Sequence, residues 1–352
     1  MSDRKDDHLD LCATDHVAFK GRTTLFEQVH LIHQALPELS VDEIDLSTPV
    51  VGNTLAAPLV IAAMTGGASR AERVNRDLAQ VAEELGLAFG FGSMRPLLEN
   101  PNAPGYSVRD VAPTATLLGN LGVVQAAQCS TDQITDLVGK TGVDALCIHL
   151  NPAMELIQPN GDTDFRGGID TLRRLQEGLP VPLIVKETGC GISRSVGKTL
   201  VDLGVQWVDV SGAGGTSWVG VETLRNRSST RATGELFWDW GIPTAASVCQ
   251  LSGLSLHTIA TGGIHTGLHL AKALALGSTA GGVARPFLMA WNDGGQKQAK
   301  SAALQLLNEL RLACLLTGSK TPRDLQQCPI IVHAELRDWI PEKSPIWARL
   351  SG

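Results

Sequence analysis

The residues best suited to chemistry lie in one stretch, Ala145 to Gly168, ALCIHLNPAMELIQPNGDTDFRGG. It begins as an apolar, β-branched run and then turns polar: His149, Asn151, Glu155, Gln158, Asp162 and Asp164. An apolar strand that delivers metal- and proton-competent side chains at its C-terminal end is the layout of a catalytic barrel strand. Glu155, with Asp162 and Asp164 nearby, offers hard oxygen ligands. One or two carboxylates plus a substrate phosphate is the usual arrangement for Mg2+, and a solvated acidic loop is the alternative. No His/Cys spacing suggests zinc. Lys186 ends another apolar run and faces two readings, a Schiff-base lysine or a cation under the electron-rich edge of a flavin. By strand alternation its neighbour Glu187 points to the opposite face, where a structural role is expected.

These side chains need a frame. The chain shows a repeated beat of short apolar runs and amphipathic segments. The runs are 59–67, 87–93, 115–122, 144–151, 181–189, 206–215, 256–263 and 278–285; helices are expected near 70–86, 130–140, 168–178, 193–204, 244–254, 266–276 and 296–317. Continuous apolar strands are those covered on both faces, and eight of them alternating with helices predict an α/β fold, a single (β/α)8 TIM barrel. The competing doubly wound sheet would favour a GxGxxG turn after the first strand, and none stands there. The division expected is an N-terminal arm and lead-in over 1–56, the barrel over 57–320, and a C-terminal helical tail over 321–352. Residues 40–56 read as a short hairpin turning at Gly52-Asn53. Residues 1–20 are heavily charged and read either as a disordered terminus or as an arm that closes Arg and Lys over an anionic ligand.

In a barrel the strand ends converge on one mouth. Met64-Thr65-Gly66-Gly67, Ser93, Asn120, His149-Asn151, Lys186, Ser211-Gly212, Gly262-Gly263 and Ala284-Arg285 all fall there. Each glycine pair alone is an ordinary turn. After strands seven and eight, glycines also let backbone N–H groups and a helix N-terminus approach a phosphate. The loop SGAGGTSW (211–218) fits a lid, a phosphate grip, or both.

Composition sets the outer bounds. The chain has 352 residues, 43% hydrophobic and 18% charged, with a net charge of −7. That balance argues against bulk binding of nucleic acid or an anionic membrane surface. Seven dispersed cysteines without a CxxC pair read as thiols in a reducing compartment. The polar N-terminus is unlike a signal peptide, and no apolar run is long enough to span a bilayer, so a cytoplasmic protein is expected.

Together these motifs resemble one family, the type 2 isopentenyl-diphosphate isomerases, which are FMN-dependent (β/α)8 barrels. The likeness runs through RKDDH (4–8), MTGG (64–67), GSMR (92–95), GNLG (119–122), HLNPAMELIQPNGDTDF (149–165), VKETGCGIS (185–193), DVSGAGGTSW (209–218), DWGIPT (239–244), TGGIHTG (261–267) and ALALGSTAGGVARPFL (273–288). The resemblance implies that Met64, Thr65, Gly66, Ser93, Asn120, Lys186, Ser211 and Thr216 hold FMN, with Gly262, Gly263, Ala284 and Arg285 on its phosphate. It implies that Arg4, Lys5, His8, Ser93, Arg95, His149 and Asn151 bind the substrate diphosphate and that Glu155 binds Mg2+. His149, Glu155 and position 154 would border the reacting carbons. NADPH would serve only to reduce the flavin, and a homo-oligomer, a tetramer or larger, is implied.

One departure matters. The family motif reads HxNxxQE, and its Gln is implicated in proton relay; this chain has Met154. A thioether carries no exchangeable proton and is a weak acceptor, though it packs well against an apolar chain or a flavin ring. His265 also stands where the family usually has Arg. Three functions follow as expectations: interconversion of isopentenyl and dimethylallyl diphosphate; a divergent flavoenzyme acting on another prenyl diphosphate; or a non-catalytic flavin- or prenyl-diphosphate-binding protein. Retention of Glu155 and Lys186 speaks against the third.

Overall fold

The eight apolar runs form eight parallel strands: β1 Leu59–Ile61, β2 Ala88–Gly90, β3 Thr116–Gly122, β4 Ala145–Leu150, β5 Leu183–Glu187, β6 Trp207–Asp209, β7 His257–Thr261 and β8 Ala280–Val283. Each pairs with its neighbours in sequence order, and β8 closes onto β1. The result is the expected (β/α)8 barrel, and closure rules out the open doubly wound sheet. This computed structural model describes residues 2–225 and 231–350, with side chains from residue 7 onward.

Strand alternation separates two apolar layers. Inward-facing Val60, Ala88, Leu118, Ala145, Cys147, Ile184, Trp207, Ile259 and Ala280 fill the barrel. The hairpin Thr48–Val50 and Asn53–Leu55 joins them through Val50, Val51 and Leu55 and plugs the N-terminal end. Outward-facing residues such as Ile61, Phe89, Leu117, Ile148, Val185 and Val208 pack against the helices. The same alternation continued toward the C-terminal end brings Asn120, His149, Lys186, Asp209 and Thr261 inward and turns Glu187 outward.

The helices follow their local signals. Ser69–Leu85 stops at Gly86 in the left-handed conformation, and Thr131–Thr141 is opened by a Ser130/Gln133 capping box. The helix expected near 296–317 runs back to Arg285, broken at Gly294 and Gly295, whose φ values of −164° and +62° are not helical. Two further features are not as composition suggested. Residues Ser2–Cys12 form a helix, with His8 and Leu9 buried, so the disordered-terminus reading does not hold. In the tail, Ile330–Val332 pairs antiparallel with Val29–Leu31, tying the two ends of the chain together. Among the described residues no helix is long and apolar enough to cross a membrane.

Candidate active site

The site is built where β4 ends. Asn151 (φ −146°, ψ 41°) leaves the strand and Pro152 opens the short helix Pro152–Ile157. Proline at the first helical position loses no hydrogen bond there. The turn sets Asn151, Met154 and Glu155 on one helix face, since positions three and four apart are neighbours. Asn151 Nδ2 donates to Glu155 Oε1 at 2.8 Å and lies 3.9 Å from the Met154 sulfur. Glu155 Oε2 accepts from the Asp162 backbone N–H at 2.9 Å and from Gln158 Nε2 at 3.2 Å. Asp162 and Asp164 do not join it as ligands. Asp162 accepts from Gln125, and Asp164 pairs with exposed Arg166. No cluster of three or more His, Cys, Asp or Glu suited to a metal occurs among the described residues.

Next to Glu155, the His149 ring places Nδ1 2.8 Å from Asn120 Oδ1, while Asn120 Nδ2 donates to the Phe91 carbonyl. With the Asn amide so oriented, Nδ1 is the protonated nitrogen, which directs the lone pair of the neutral ring to Nε2. On β5 and β6, Lys186 and Asp209 are direct cross-strand neighbours, and Nζ lies 3.0 Å from Oδ2, both side chains buried. Asp209 Oδ1 in turn accepts from the Ser211 backbone N–H at 3.1 Å and from the Thr261 hydroxyl. A salt bridge, not a free amine, is therefore the resting state of Lys186. A Schiff-base role would first have to break it.

One cavity at the mouth of the barrel gathers these groups. Its lining includes His8, Met64, Ser93, Arg95, Asn120, His149, Asn151, Met154, Glu155, Lys186, Ser211, Thr216, Gly262, Gly263, Ala284 and Arg285. The expected residues come together with few exceptions. Thr65 and Gly66 lie behind the lining, Gly66 against the Tyr106 ring. The side chains of Arg4 and Lys5 lie outside the described residues. His8 borders the cavity, but its Nε2 is 2.8 Å from Glu222 Oε1, so its resting partner is a protein carboxylate. Arg285 pairs with Asp15, and Arg95 lies 3.5 Å from Glu99. His265, beside Arg285 and Asp15, has its pKa lowered mainly by burial, which favours the neutral ring. Cys12 also borders the cavity, but burial pushes its thiol up to about 12, which leaves it a poor nucleophile.

The atoms of the cavity suit a flavin mononucleotide. Thr188 and Arg285 line the cavity, and Thr188 Oγ1 and Arg285 Nε are buried polar atoms with no hydrogen-bond partner among the described residues; such atoms are costly unless something pairs with them. Just after β7, Gly262 and Gly263 have φ of +101° and +70°. A Cβ on Gly262 would lie 2.2 Å from the Gly212 carbonyl oxygen, so only glycine brings the backbone this close. The helix beginning at Arg285 adds its N-terminus. For Mg2+ the fit is one protein carboxylate, Glu155, with the remaining positions left to phosphate oxygens and water.

Sequence reasoning gave no role to Asp209 or Thr261, and did not single out Trp218 or Glu222. Asp209 was visible within DVSGAGGTSW: it sits on the inward parity of an apolar strand, where an unpaired carboxylate would be untenable. Glu222, fully buried on the helix Trp218–Arg225, had no such cue, because the residues it meets, His8 and Arg225, come from the arm and from its own helix.

Comparison with known proteins extends the picture. The chain matches the FMN-dependent dehydrogenase family over residues 1–148 and 149–331. It is 41% identical over 349 residues to the isopentenyl-diphosphate delta-isomerase of Methanothermobacter thermautotrophicus, covering 97% of each chain. It is 44% identical to the enzyme of that name from Methanosarcina barkeri, covering 97% of this chain and 95% of the relative. Among solved structures, a mandelate oxidase mutant superposes with a TM-score of 0.66 at 18% identity, covering 92% of this chain and 95% of that one. A mutant flavocytochrome b2 gives 0.67 at 18%, covering 89% and 78%. At that identity the likeness establishes the barrel alone.

Proposed function

The chain belongs to the FMN-dependent dehydrogenase family and, within it, to the type 2 isopentenyl-diphosphate isomerases, and from that premise we propose that it interconverts isopentenyl and dimethylallyl diphosphate with FMN and Mg2+. The observation that carries this reading is the single cavity lined both by the residues suited to a flavin and by those suited to a diphosphate.

The chemistry a bound reduced flavin supplies is proton exchange with the isoprenoid carbon skeleton, with no net redox change; NADPH or another donor serves to reduce it. Gly262, Gly263 and the helix N-terminus at Arg285 would hold the flavin phosphate, and Lys186 would supply a cation to the ring system. Arg95 and His149, with Arg4 and Lys5 of the arm, bind the substrate diphosphate. His149 is pre-oriented by Asn120 through Nδ1, and a protonated ring would donate from Nε2 to a phosphate oxygen. Glu155, braced by Asn151 and Gln158, would hold the metal, which would supply positive charge to the diphosphate. Met154 lies against the reacting carbons and excludes water from them, while supplying no proton of its own. The working assembly is a homo-oligomer, a tetramer or larger.

Met154 favours a second reading as well: a flavoenzyme of the same family that acts on another prenyl diphosphate. One assay separates the two. The chain is incubated anaerobically with reduced FMN, Mg2+ and isopentenyl diphosphate in D2O, and product and deuterium are read by NMR. Deuterated dimethylallyl diphosphate is expected. Absence of both product and exchange, with FMN and substrate demonstrably bound, sinks the isomerase and turns the search to longer prenyl diphosphates.

A further inference from the structure

We propose that Asp209 is a positioning residue that acts through Lys186, holding its ammonium at the cavity floor and setting how much positive charge it presents to the flavin. The inference rests on the proposed binding of FMN in this cavity and adds a residue to it.

Four observations lead there. Lys186 and Asp209 face inward on adjacent strands, in direct register, with Nζ 3.0 Å from Oδ2. Lys186 lines the cavity and Asp209 does not, so the carboxylate lies behind the cation as seen from the ligand. Asp209 is itself fixed on its other oxygen by the Ser211 N–H and the Thr261 hydroxyl, which come from the next loop and from β7. Ser211 is held at φ +35°, an uncommon conformation for a residue with a side chain, where it can give its N–H to Asp209. A buried ion pair is seldom more stabilising than apolar residues of the same volume, so stability alone is a poor account of this pair. An ammonium has three donors. One is spent on Oδ2, and the remaining charge is directed at the cavity.

The consequence is electrical. Protein charges near a flavin tune its electronics, and a reduced flavin is the more electron-rich form. A bare Lys186 ammonium favours it strongly, and Asp209 moderates that preference. The two-electron midpoint potential of bound FMN reads this out, measured anaerobically by dye equilibration in the full chain, in Asp209→Asn, in Lys186→Met and in the double variant. Asp209→Asn is expected to favour reduced over oxidised FMN by about tenfold more than the unmodified chain, a rise of about 30 mV. Lys186→Met is expected to shift the preference the other way. In the Lys186→Met background the unpaired buried carboxylate takes up a proton, so Asp209→Asn then changes little.

An unmoved potential in Asp209→Asn overturns the proposal. So does an equal shift with and without Lys186, since Asp209 would then act on its own. Should Asp209→Asn fail to fold, Thr261→Val takes its place: losing one donor leaves Asp209 more charge to offer Lys186, and the potential is expected to fall; a rise or no change overturns the idea. A full-length chain that binds no FMN at all defeats the proposed function instead, and the two failures are told apart by the flavin absorbance of the purified protein.

Discussion

At the scale of single residues, position 154 decides the most. Its sulfur receives one weak contact, 3.9 Å from Asn151 Nδ2, so the side chain is held by packing rather than by hydrogen bonds. Met154→Gln restores two donors and an acceptor in a side chain of similar length. General acid–base groups contribute roughly 10²–10⁴-fold, and the expected outcome is a gain in isomerisation kcat of at least about tenfold with little change in KM. A variant no faster than the unmodified chain would mean that the amide is dispensable here. Glu187 offers a second residue-scale prediction. It turns outward from the barrel and is buried, and one carboxyl oxygen accepts the backbone N–H groups of Thr188 and Cys190. Burial pushes its carboxyl up from 4.5 to about 7, with those two N–H donors opposing the rise. Because the folded value exceeds the unfolded one, the stabilising contribution is complete below about 4.5 and is lost as pH rises through about 7. The loss is on the order of 3 kcal/mol. Glu187→Gln keeps an acceptor for both N–H groups and cannot ionise, so urea melts at pH 6 and pH 8 should differ less in the variant than in the unmodified chain. An identical pH dependence in both would remove Glu187 as the cause.

At the scale of elements, the eight strands were legible because both of their faces are buried and the sequence therefore shows unbroken apolar runs. The mouth residues were legible because strand ends converge. What could not be read were elements too short to show a period and pairings between distant elements. The short helix Pro152–Ile157 was one: its six residues are too few for a helical period to show beside the strand, yet it puts Met154 and Glu155 on one face. The N-terminal arm was another. Its charge suggested disorder, but two neighbours on the helix Trp218–Arg225 pair with that charge. His8 meets Glu222 at 2.8 Å, Glu222 binds Arg225, and Arg225 Nε lies 3.7 Å from Asp7. Trp218 adds an edge-on contact with the His8 ring. Glu222 has no solvent access, so Glu222→Ala strands Arg225, 15% exposed, without its main partner. Removing one member of a buried pair costs about 3–5 kcal/mol. The expected result is a lower urea midpoint together with faster proteolytic cleavage within residues 2–12. Equal cleavage rates in the variant and the unmodified chain would show that the arm is held by something else.

At the scale of the whole molecule, the barrel is braced from outside by the end of the chain. Ile330–Val332 pairs with Val29–Leu31. Gln326 Nε2 donates to the Ser278 carbonyl at 2.7 Å, Gln250 Nε2 to the Trp339 carbonyl at 2.6 Å, and Arg349 to the Ala275 carbonyl. These bonds tie the tail to the helices Thr244–Leu251 and Gly267–Ala275 and to the turn that feeds β8. Those same segments flank Gly262, Gly263 and Ala284 in the lining of the cavity, so the brace and the site share their supports. Five tail residues, Ile330, Val332, Leu336, Ile340 and Ile346, belong to the main apolar core. At about 1.5–3 kcal/mol for each buried side chain, their loss amounts to roughly 7–15 kcal/mol, the size of a whole domain's stability. A chain ending at residue 328 should therefore lose cooperative unfolding and FMN binding together. The milder Ile346→Ala leaves a cavity costing about 2–5 kcal/mol, and should lower the melting temperature while the folded fraction still binds FMN with unchanged stoichiometry. Circular dichroism melts and flavin absorbance on the same samples check both variants. A truncated chain that melts at the original midpoint would show that the barrel stands without its brace, and that the tail is kept for some purpose other than holding that side of the mouth in place.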